Sequence, residues 1–446
     1  MSIVALKTMF AAAGAGGGGY WVVDVNDSTI TSGSYGTVVR MDLNSSGSIA
    51  VSLEKWGANN YSAVVQLSSG GSLEWAKRIT KQSSSDIGYG LAIDSSDNVY
   101  YPVIASTTTN FLVYVFDSSG AVQKVASSGG WSDQTFQVFD IYSDDIYAGV
   151  KYSTLGATFY KEDAGTLTGA ADWTRRYYPG NAWFPNSTYF DSSRYYVYGY
   201  RGSGASSTAL MWTMTHAGAA DVAKDLTSSG TYRGIDQHPS RIAHYNGNFY
   251  VDWKQSPDGA SIDEIVLAKT AYPFSSVSWA RTINYSTRGK LGNGPTLASS
   301  TGDIHCMVKI SDGSSVAGLY LQTFDESGTF QRELLIQSGS SYYIPGTCLI
   351  DDNDDIYISG CVYNGSVYAG YKPFVMKIPS DYSSIGGTYG DWTLTYSTSS
   401  TFTIASGSAS TTNATSTNDT SVSVSFGTGS DGSTTSSTIS VDLDPI

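Results

Sequence analysis

Charge is what this sequence has little of. Of its 446 residues only 14% are charged, where soluble domains carry about 25%. Glu is rarest among the acids, at six residues, and the balance of 25 Lys+Arg against 39 Asp+Glu leaves a net charge of −14. Few Glu and Lys beside 48 Gly, 33 Tyr and abundant Ser and Thr make a poor recipe for helices and a good one for strands and turns. The acidic excess repels polyphosphates and excludes generic nucleic-acid binding. Three cysteines, Cys306, Cys348 and Cys361, are an odd number, too few for a disulfide framework and without zinc-finger spacing. No apolar run reaches the roughly 18 residues of a membrane helix, so no membrane insertion is expected. An apolar fraction of 41% argues against disorder.

What is present is a repeat. A strand, an Asp/Asn/Gly-rich turn and a second strand opening with β-branched or aromatic residues recur along the chain. The copies include GLAIDSSDNVYYPV around Tyr100, FQVFDIYSDDIYAGV around Tyr147 and STYFDSSRYYVYGY around Tyr196. RIAHYNGNFYVDW around Tyr250, TLASSTGDIHCMV around His305 and TCLIDDNDDIYISG around Tyr357 continue the series, and a degenerate copy places Ala50 upstream. Equivalent positions 50, 100, 147, 196, 250, 305 and 357 lie 47–55 residues apart.

After each copy comes a further strand pair, as in YSAVVQLSSGGSLEWAKRI (61–79), FLVYVFDSSGAVQKVA (111–126) and GLYLQTFDESGTFQRELLI (318–336). Gly in the SSG and ESG triplets accepts the positive φ of a tight hairpin. Other copies carry a Trp on the last strand, at Trp173, Trp279 and Trp392. Four short strands per unit and seven units describe an all-β, seven-bladed β-propeller, spanning 20–396. Tyr20–Val25 is one further strand, placed to close the ring on the last blade.

The stretch Trp75-Ala-Lys-Arg-Ile followed by Gly-Tyr-Gly-Leu-Ala-Ile-Asp94-Ser-Ser-Asp97-Asn98-Val-Tyr100 resembles the bacterial β-propeller-repeat family of the SBBP type. That family pairs a Trp-bearing strand with a later D-x-x-G-N-x-Y turn. Asp97 stands where the family has Gly, and copies four and five depart from the leading Asp. The resemblance implies the propeller fold over roughly 36–396 and brings no catalytic residues.

The ends differ from the repeat. Residues 1–19 read as an apolar arm on a glycine tether, with Ile3, Leu6 and Phe10 at helical spacing and Gly14 and Gly16–Gly19 following. An apolar helix this short needs a partner to bury its face, which makes those three residues the candidate docking contacts. A signal peptide cut near Ala11–Ala13 and a disordered tail are the alternatives. The opening Met1-Ser-Ile-Val-Ala-Leu-Lys7-Thr-Met-Phe10-Ala-Ala-Ala-Gly also resembles the leader of marine bacteriophage structural proteins, which implies a docking arm on a virion. Residues 397–446 form a Ser/Thr-rich extension with strand-period segments at 401–406, 421–426 and 437–443. They read as a small β-type appendage, as strands completed by a neighbouring subunit, or as disorder.

Catalytic patterns are absent. His216, His238, His244 and His305 lack metal-binding spacing, and no HExxH, GxSxG or P-loop occurs. The cysteines read as small buried residues. Most Asp fall in repeated turns, where Asp caps its own backbone, and the sialidase box S-x-D-x-G-x-T-W is missing from FDSSGAVQK and FDESGTFQR. Asp351, Asn353 and Asp355 offer oxygen ligands that suit calcium, against the reading of a solvated turn; no other cofactor or metal is expected. Aromatic residues crowd the loops predicted on one face: Trp56, Tyr61, Tyr178, Trp183, Trp253 and Tyr368, interleaved with Asn59, Asn60, Asn181 and Asn364. Rings stack on sugar C–H groups while amides bind hydroxyls, against the alternative that each ring packs between blades. These residues imply a glycan- or protein-binding face, and the resemblance of the opening segment to bacteriophage leaders implies that a non-enzymatic virion tail or fibre component displays it in multiple copies, its arm held by other virion proteins. A secreted or cell-surface propeller binding glycans or proteins, and a glycoside hydrolase or lyase, are the other two readings.

Overall fold

In the computed structural model the chain forms seven antiparallel sheets arranged as the blades of a propeller. The structure describes residues 20–445 apart from 27–36, 56–60, 81–89, 106–109, 129–135, 153–155, 166, 168–170, 179–182, 203–207, 230, 235–239, 257–263, 286–290, 311–316, 339–341, 364–370, 390, 415–416, 419–425, 429–435 and 439–441. Blade one shows the plan, with strands Thr37–Leu43, Ile49–Lys55, Tyr61–Leu67 and Leu73–Thr80 paired in sequence order from the axis outward. Blade seven is built from both parts of the chain. Its inner three strands are Tyr342–Ile350, Asp355–Tyr363 and Tyr371–Pro379, and its fourth is Trp21–Asn26. The closing strand expected at 20–25 is therefore present.

The described strands beyond residue 391 do not form a separate appendage; each pairs with a blade of the same chain. Trp392–Ser397 pairs with the fourth strand of blade six, Thr403–Ser406 with blade five and Ala409–Asn413 with blade four. Thr417–Asn418, Phe426–Thr428 and Ser436–Thr438 continue on blades three, two and one, and Asp442–Pro445 ends on Trp21–Asn26 of blade seven. Every blade thus gains a fifth strand from one belt that runs backward around the ring. Strand twist explains how so short a chain can do this. Neighbouring strands rotate by about 20–25°, so a fifth strand lies nearly at right angles to the first and follows the circumference. The reading of Trp392 as the last strand of blade seven is corrected accordingly: it is the first belt strand, on blade six.

Among the described residues the core is divided between the blades. Seven apolar clusters fill the seven seams between neighbouring blades. The middle strands are covered on both sides, and Gly318–Phe324 is buried at every residue, so simple in–out alternation fails there.

A rule governs the outer half of each seam. Trp21, Trp75, Trp173 and Trp279 occupy one register position on the fourth strands of blades seven, one, three and five. Each donates its indole N–H to a carbonyl in the outer hairpin of the next blade: Ser69, Ser118, His216 and Glu326, at 2.8–3.1 Å. Above each ring sits a positive-φ glycine, Gly71, Gly120, Gly218 or Gly328, where an added Cβ would lie within 3 Å of the indole. The same register position is Lys124, Val222 and Arg332 in blades two, four and six. There the following blade supplies its own filler: buried Leu167, Phe274 and Tyr382 respectively.

The repeated inner turns are explained as well. Asp94 accepts from the Ser96 and Asn98 amides and from the Tyr100 hydroxyl. Asp351 does the same with Asn353, Asp355 and Tyr357, and Asp191 with Ser193, Arg194 and Tyr196. Copy four therefore keeps its leading Asp in a turn one residue shorter. Asp97 has a φ of 63°, the conformation that favours the family's Gly. Its carboxylate has a use: the Ser45 amide and hydroxyl of blade one donate to it. Ser95 clasps Asp144, and Ser300 clasps Asp354, in the same way.

Candidate functional site

One face of the ring carries the turns between first and second strands and between third and fourth. The opposite face carries the second-to-third loops and the blade-to-blade connections, because consecutive antiparallel strands end at opposite ends. Trp56 and Tyr368 fall in such loops and lie outside the described residues. Tyr61, Tyr178 and Trp183 sit at strand ends bordering that face, on Tyr61–Leu67, Trp173–Tyr178 and Trp183–Phe190; their side chains lie outside the described residues. Ile3, Leu6 and Phe10 lie outside them too. Trp253 is a correction. It is 1% exposed in the seam between blades four and five, with its indole directed at the Ser228 hydroxyl at 3.3 Å. The middle of a second strand is covered by blades on both sides, so a ring there packs and does not display.

Asp351, the first calcium candidate, spends its carboxylate on its own turn, as described above. Asp355 pairs with Lys377 at 2.9 Å, and Asn353 contributes its amide to Asp351. Among the described residues no group of three or more His, Cys, Asp or Glu is set to hold a metal. His216 bridges the Tyr147 hydroxyl and the Asp191 carbonyl, both at 2.8 Å. His305 is fully buried against Thr323, and burial together with Arg332 lowers its pKa to about 3. All three cysteines are buried free thiols.

A different set of residues converges at the axis. Asp42, Ala92, Asp140, Tyr189, Ala243, Leu297 and Leu349 pair with the seven repeat-equivalent positions and so form one layer of the inner strands. Two carboxylates thus stand in a layer that is otherwise apolar or aromatic. Asp42 accepts the amides of Leu43 and Ile93, both at 3.0 Å. Asp140 accepts the Ile141 amide and the Thr188 hydroxyl, both at 2.9 Å. Burial raises the Asp42 carboxyl to about 6, with Arg241 opposing and Asp140 adding to the shift.

Arg241 reaches this layer because the inner strand of blade five is broken. It runs as Thr231–Gly234, Ser240–Arg241 and Ala243–Tyr245. Ser240–Arg241 leaves its own blade to pair in parallel with Ser187 and Thr188 of blade four, and the Ile242 amide donates to the Thr188 carbonyl at 2.7 Å. Such irregularities re-aim side chains. Here the guanidinium is turned into the axial channel, 3.4 Å from Asp42.

Two connected cavities mark that channel. A funnel of about 190 Å³ opens toward the turn face, walled by Leu43, Tyr189, His244, Leu297, Leu349 and Ile350. Tyr189 and His244 stack at 4.3 Å, and burial lowers the His244 pKa, favouring the neutral ring. Asp42 and Arg241 belong both to the funnel and to a deeper cavity of about 50 Å³ that reaches Arg40 and Asp140. Sequence reasoning missed this site. The one available signal was Asp in two of seven copies at a position apolar or aromatic in the rest.

No family model matches the chain, and no curated protein matches it. Solved structures do. A neuraminidase-like protein of A/flat-faced bat/Peru aligns at 10% identity and TM-score 0.40, covering 84% of this chain and 93% of that one. A Bacteroides caccae protein of unknown function aligns at 9% identity and TM-score 0.37, covering 61% and 90%. A structure of prolyl endopeptidases aligns at 12% identity and TM-score 0.41, covering 76% and 50%.

Proposed function

We propose that this protein is a non-enzymatic attachment module, a tail or fibre component of a bacteriophage virion, that shows one face of a rigid ring to the host surface. The observation that carries the reading is the position of Trp21. Its bond to Ser69 in a blade-one hairpin puts the start of the closing strand on the turn face, where burial, with Asp355 and Asp381 adding and Lys377 opposing, raises the Tyr20 pKa. Tyr20, where the described residues begin, therefore lies on the face opposite the aromatic-rich loops. An arm held by the particle on one side leaves the loops free on the other.

The belt suits this role. A display module on a particle endures shear and proteases, and fifth strands on every blade cover the outer edges that would otherwise open. The bacteriophage assignment rests on the resemblance of residues 1–14, and multiple copies follow from the arm's apolar face.

The test uses the full chain and a version lacking residues 1–19. Both should bind the same bacterial envelope polysaccharide, and Trp56→Ala with Trp183→Ala should weaken that binding at least tenfold. The shortened chain alone should fail to enter particles. Equal binding by the double variant would overturn the display face; equal incorporation of the shortened chain would overturn the arm's role.

A further inference from the structure

We propose that the axial funnel on the turn face is a binding site for a small organic acid, its carboxylate held by Arg241 and its apolar body by the ring of Leu43, Tyr189, His244, Leu297 and Leu349.

The geometry has three parts. The first is the cation. Arg241 lines the channel with 59% of its side chain still open to solvent, and its ion pair to Asp42 is long, at 3.4 Å. Charge-assisted bonds of a satisfied pair run at about 2.7–2.9 Å, and a guanidinium has five N–H donors. Asp42 meanwhile is engaged by two backbone amides. Arg241 thus retains donors directed into open space. Its planar fork matches a carboxylate in two-point fashion, which an ammonium cannot do.

The second part is the wall. Above the guanidinium the funnel is apolar and aromatic, with Tyr189 against neutral His244 on one side and Leu297, Leu349 and Ile350 on the other. Apolar walls with a few converging polar groups are the usual composition of a ligand site. Its 190 Å³ equals about six waters, the size of a benzoate or a branched short-chain acid.

The third part is the cost of building it. Six blades keep their inner strand on their own sheet, while blade five breaks its strand to put Arg241 at the axis. An arginine that only neutralised Asp42 would sit closer to it and be buried.

The charges facing Arg241 are Asp42 of blade one, Asp140 of blade three and Arg40 of blade one. Two acids and two bases sum to zero, so a bound carboxylate meets no net repulsion. The site lies on the face opposite the aromatic loops and stands or falls independently of the attachment role.

The probe is 4-fluorobenzoate, followed by fluorine NMR line broadening against the full-length protein, with 4-fluorobenzamide as the uncharged control. We expect saturable binding of the acid, at least tenfold weaker binding of the amide, and at least tenfold loss on Arg241→Gln. Ala298→Phe, which narrows the funnel wall without touching the cation, should also abolish binding and serves if Arg241→Gln does not fold. Circular dichroism checks each variant. Absence of saturable acid binding to the wild type, equal binding of acid and amide, or unchanged binding in a folded variant would each overturn the site.

Discussion

The Trp21 indole donates to the Ser69 carbonyl at 3.0 Å, across the seam between blade seven and blade one. Blade seven takes its fourth strand from near the start of the chain, so this bond helps fasten the ring where its two parts meet. The contact is also close-fitting. A Cβ on Gly71 would lie 2.7 Å from the ring, at a φ of +80°.

Gly71→Ala should therefore cost about 2–4 kcal/mol, from strain at positive φ and from displacement of the indole. Trp21→Phe keeps most of the ring but removes the donor and should cost nearer about 1 kcal/mol. Urea unfolding midpoints followed by tryptophan fluorescence will rank the two. A larger loss for Trp21→Phe than for Gly71→Ala would contradict the packing account.

Where the register position is not Trp, the next blade fills the seam. Phe274→Ala should open a cavity between blades four and five and cost about 3–5 kcal/mol. Val222→Trp alone should also destabilise, by about 1–3 kcal/mol, because Phe274 already occupies the space. The double variant should be more stable than the sum of the two losses predicts. Simple additivity in that cycle would show that the two positions do not share one socket.

The belt has an anchored beginning. Trp392, Leu394 and Phe402 are buried on blades six and five. A chain ending at Asn413 should stay folded and soluble, while one ending at Asp391 should expose blade six and aggregate. In the chain ending at Asn413, amide exchange should rise at Lys77–Ile79, Ala126–Ser128 and Val23–Asn26, where the deleted belt strands pair. Equal acceleration at the blade-four edge, Lys224–Ser228, would argue against local pairing.

Two buried groups pull stability in opposite directions with pH. His305 is depressed to about 3, so the stability of its neutral form is full above about 6.5 and is lost as pH falls toward 3. Asp42 is raised to about 6, so its contribution is full below about 3.8 and is lost as pH rises through 6. Their slopes oppose each other between about pH 4 and 6. Asp42→Asn should steepen the loss of stability on acidification, and His305→Gln should flatten it. Thermal melts at half-unit pH steps will show this; parallel curves for wild type and both variants would refute it.

Much of the fold was legible because the repeat is local. The Asp94–Tyr100 turn, the SSG hairpins and the strand at 20–25 each depend on residues within a few positions, and the structure forms all three. Trp392 shows the limit. Its DWTLTY resembles DWTRRYY at Trp173, yet it lies on blade six, because Trp21 already fills that place on blade seven. Trp253 shows another: an aromatic after the second-strand turn reads alike whether it faces solvent or the neighbouring blade. The axial site escaped because Asp42, Asp140 and Arg241 come from three blades and meet only around the axis.

The sequence by itself determined seven units, their strands and turns, and the glycines and aspartates that set each hairpin. Those are short-range matters of φ, hydrogen-bonding side chains and period. Tertiary structure alone decided which strand completes which blade, that a weakly apolar Ser/Thr-rich segment becomes a belt, and that Arg241 reaches the axis. The belt is held mainly by backbone pairing to edges that exist only once the blades have formed. Twist over four strands then gives it a circumferential path, which no local pattern in 392–445 encodes.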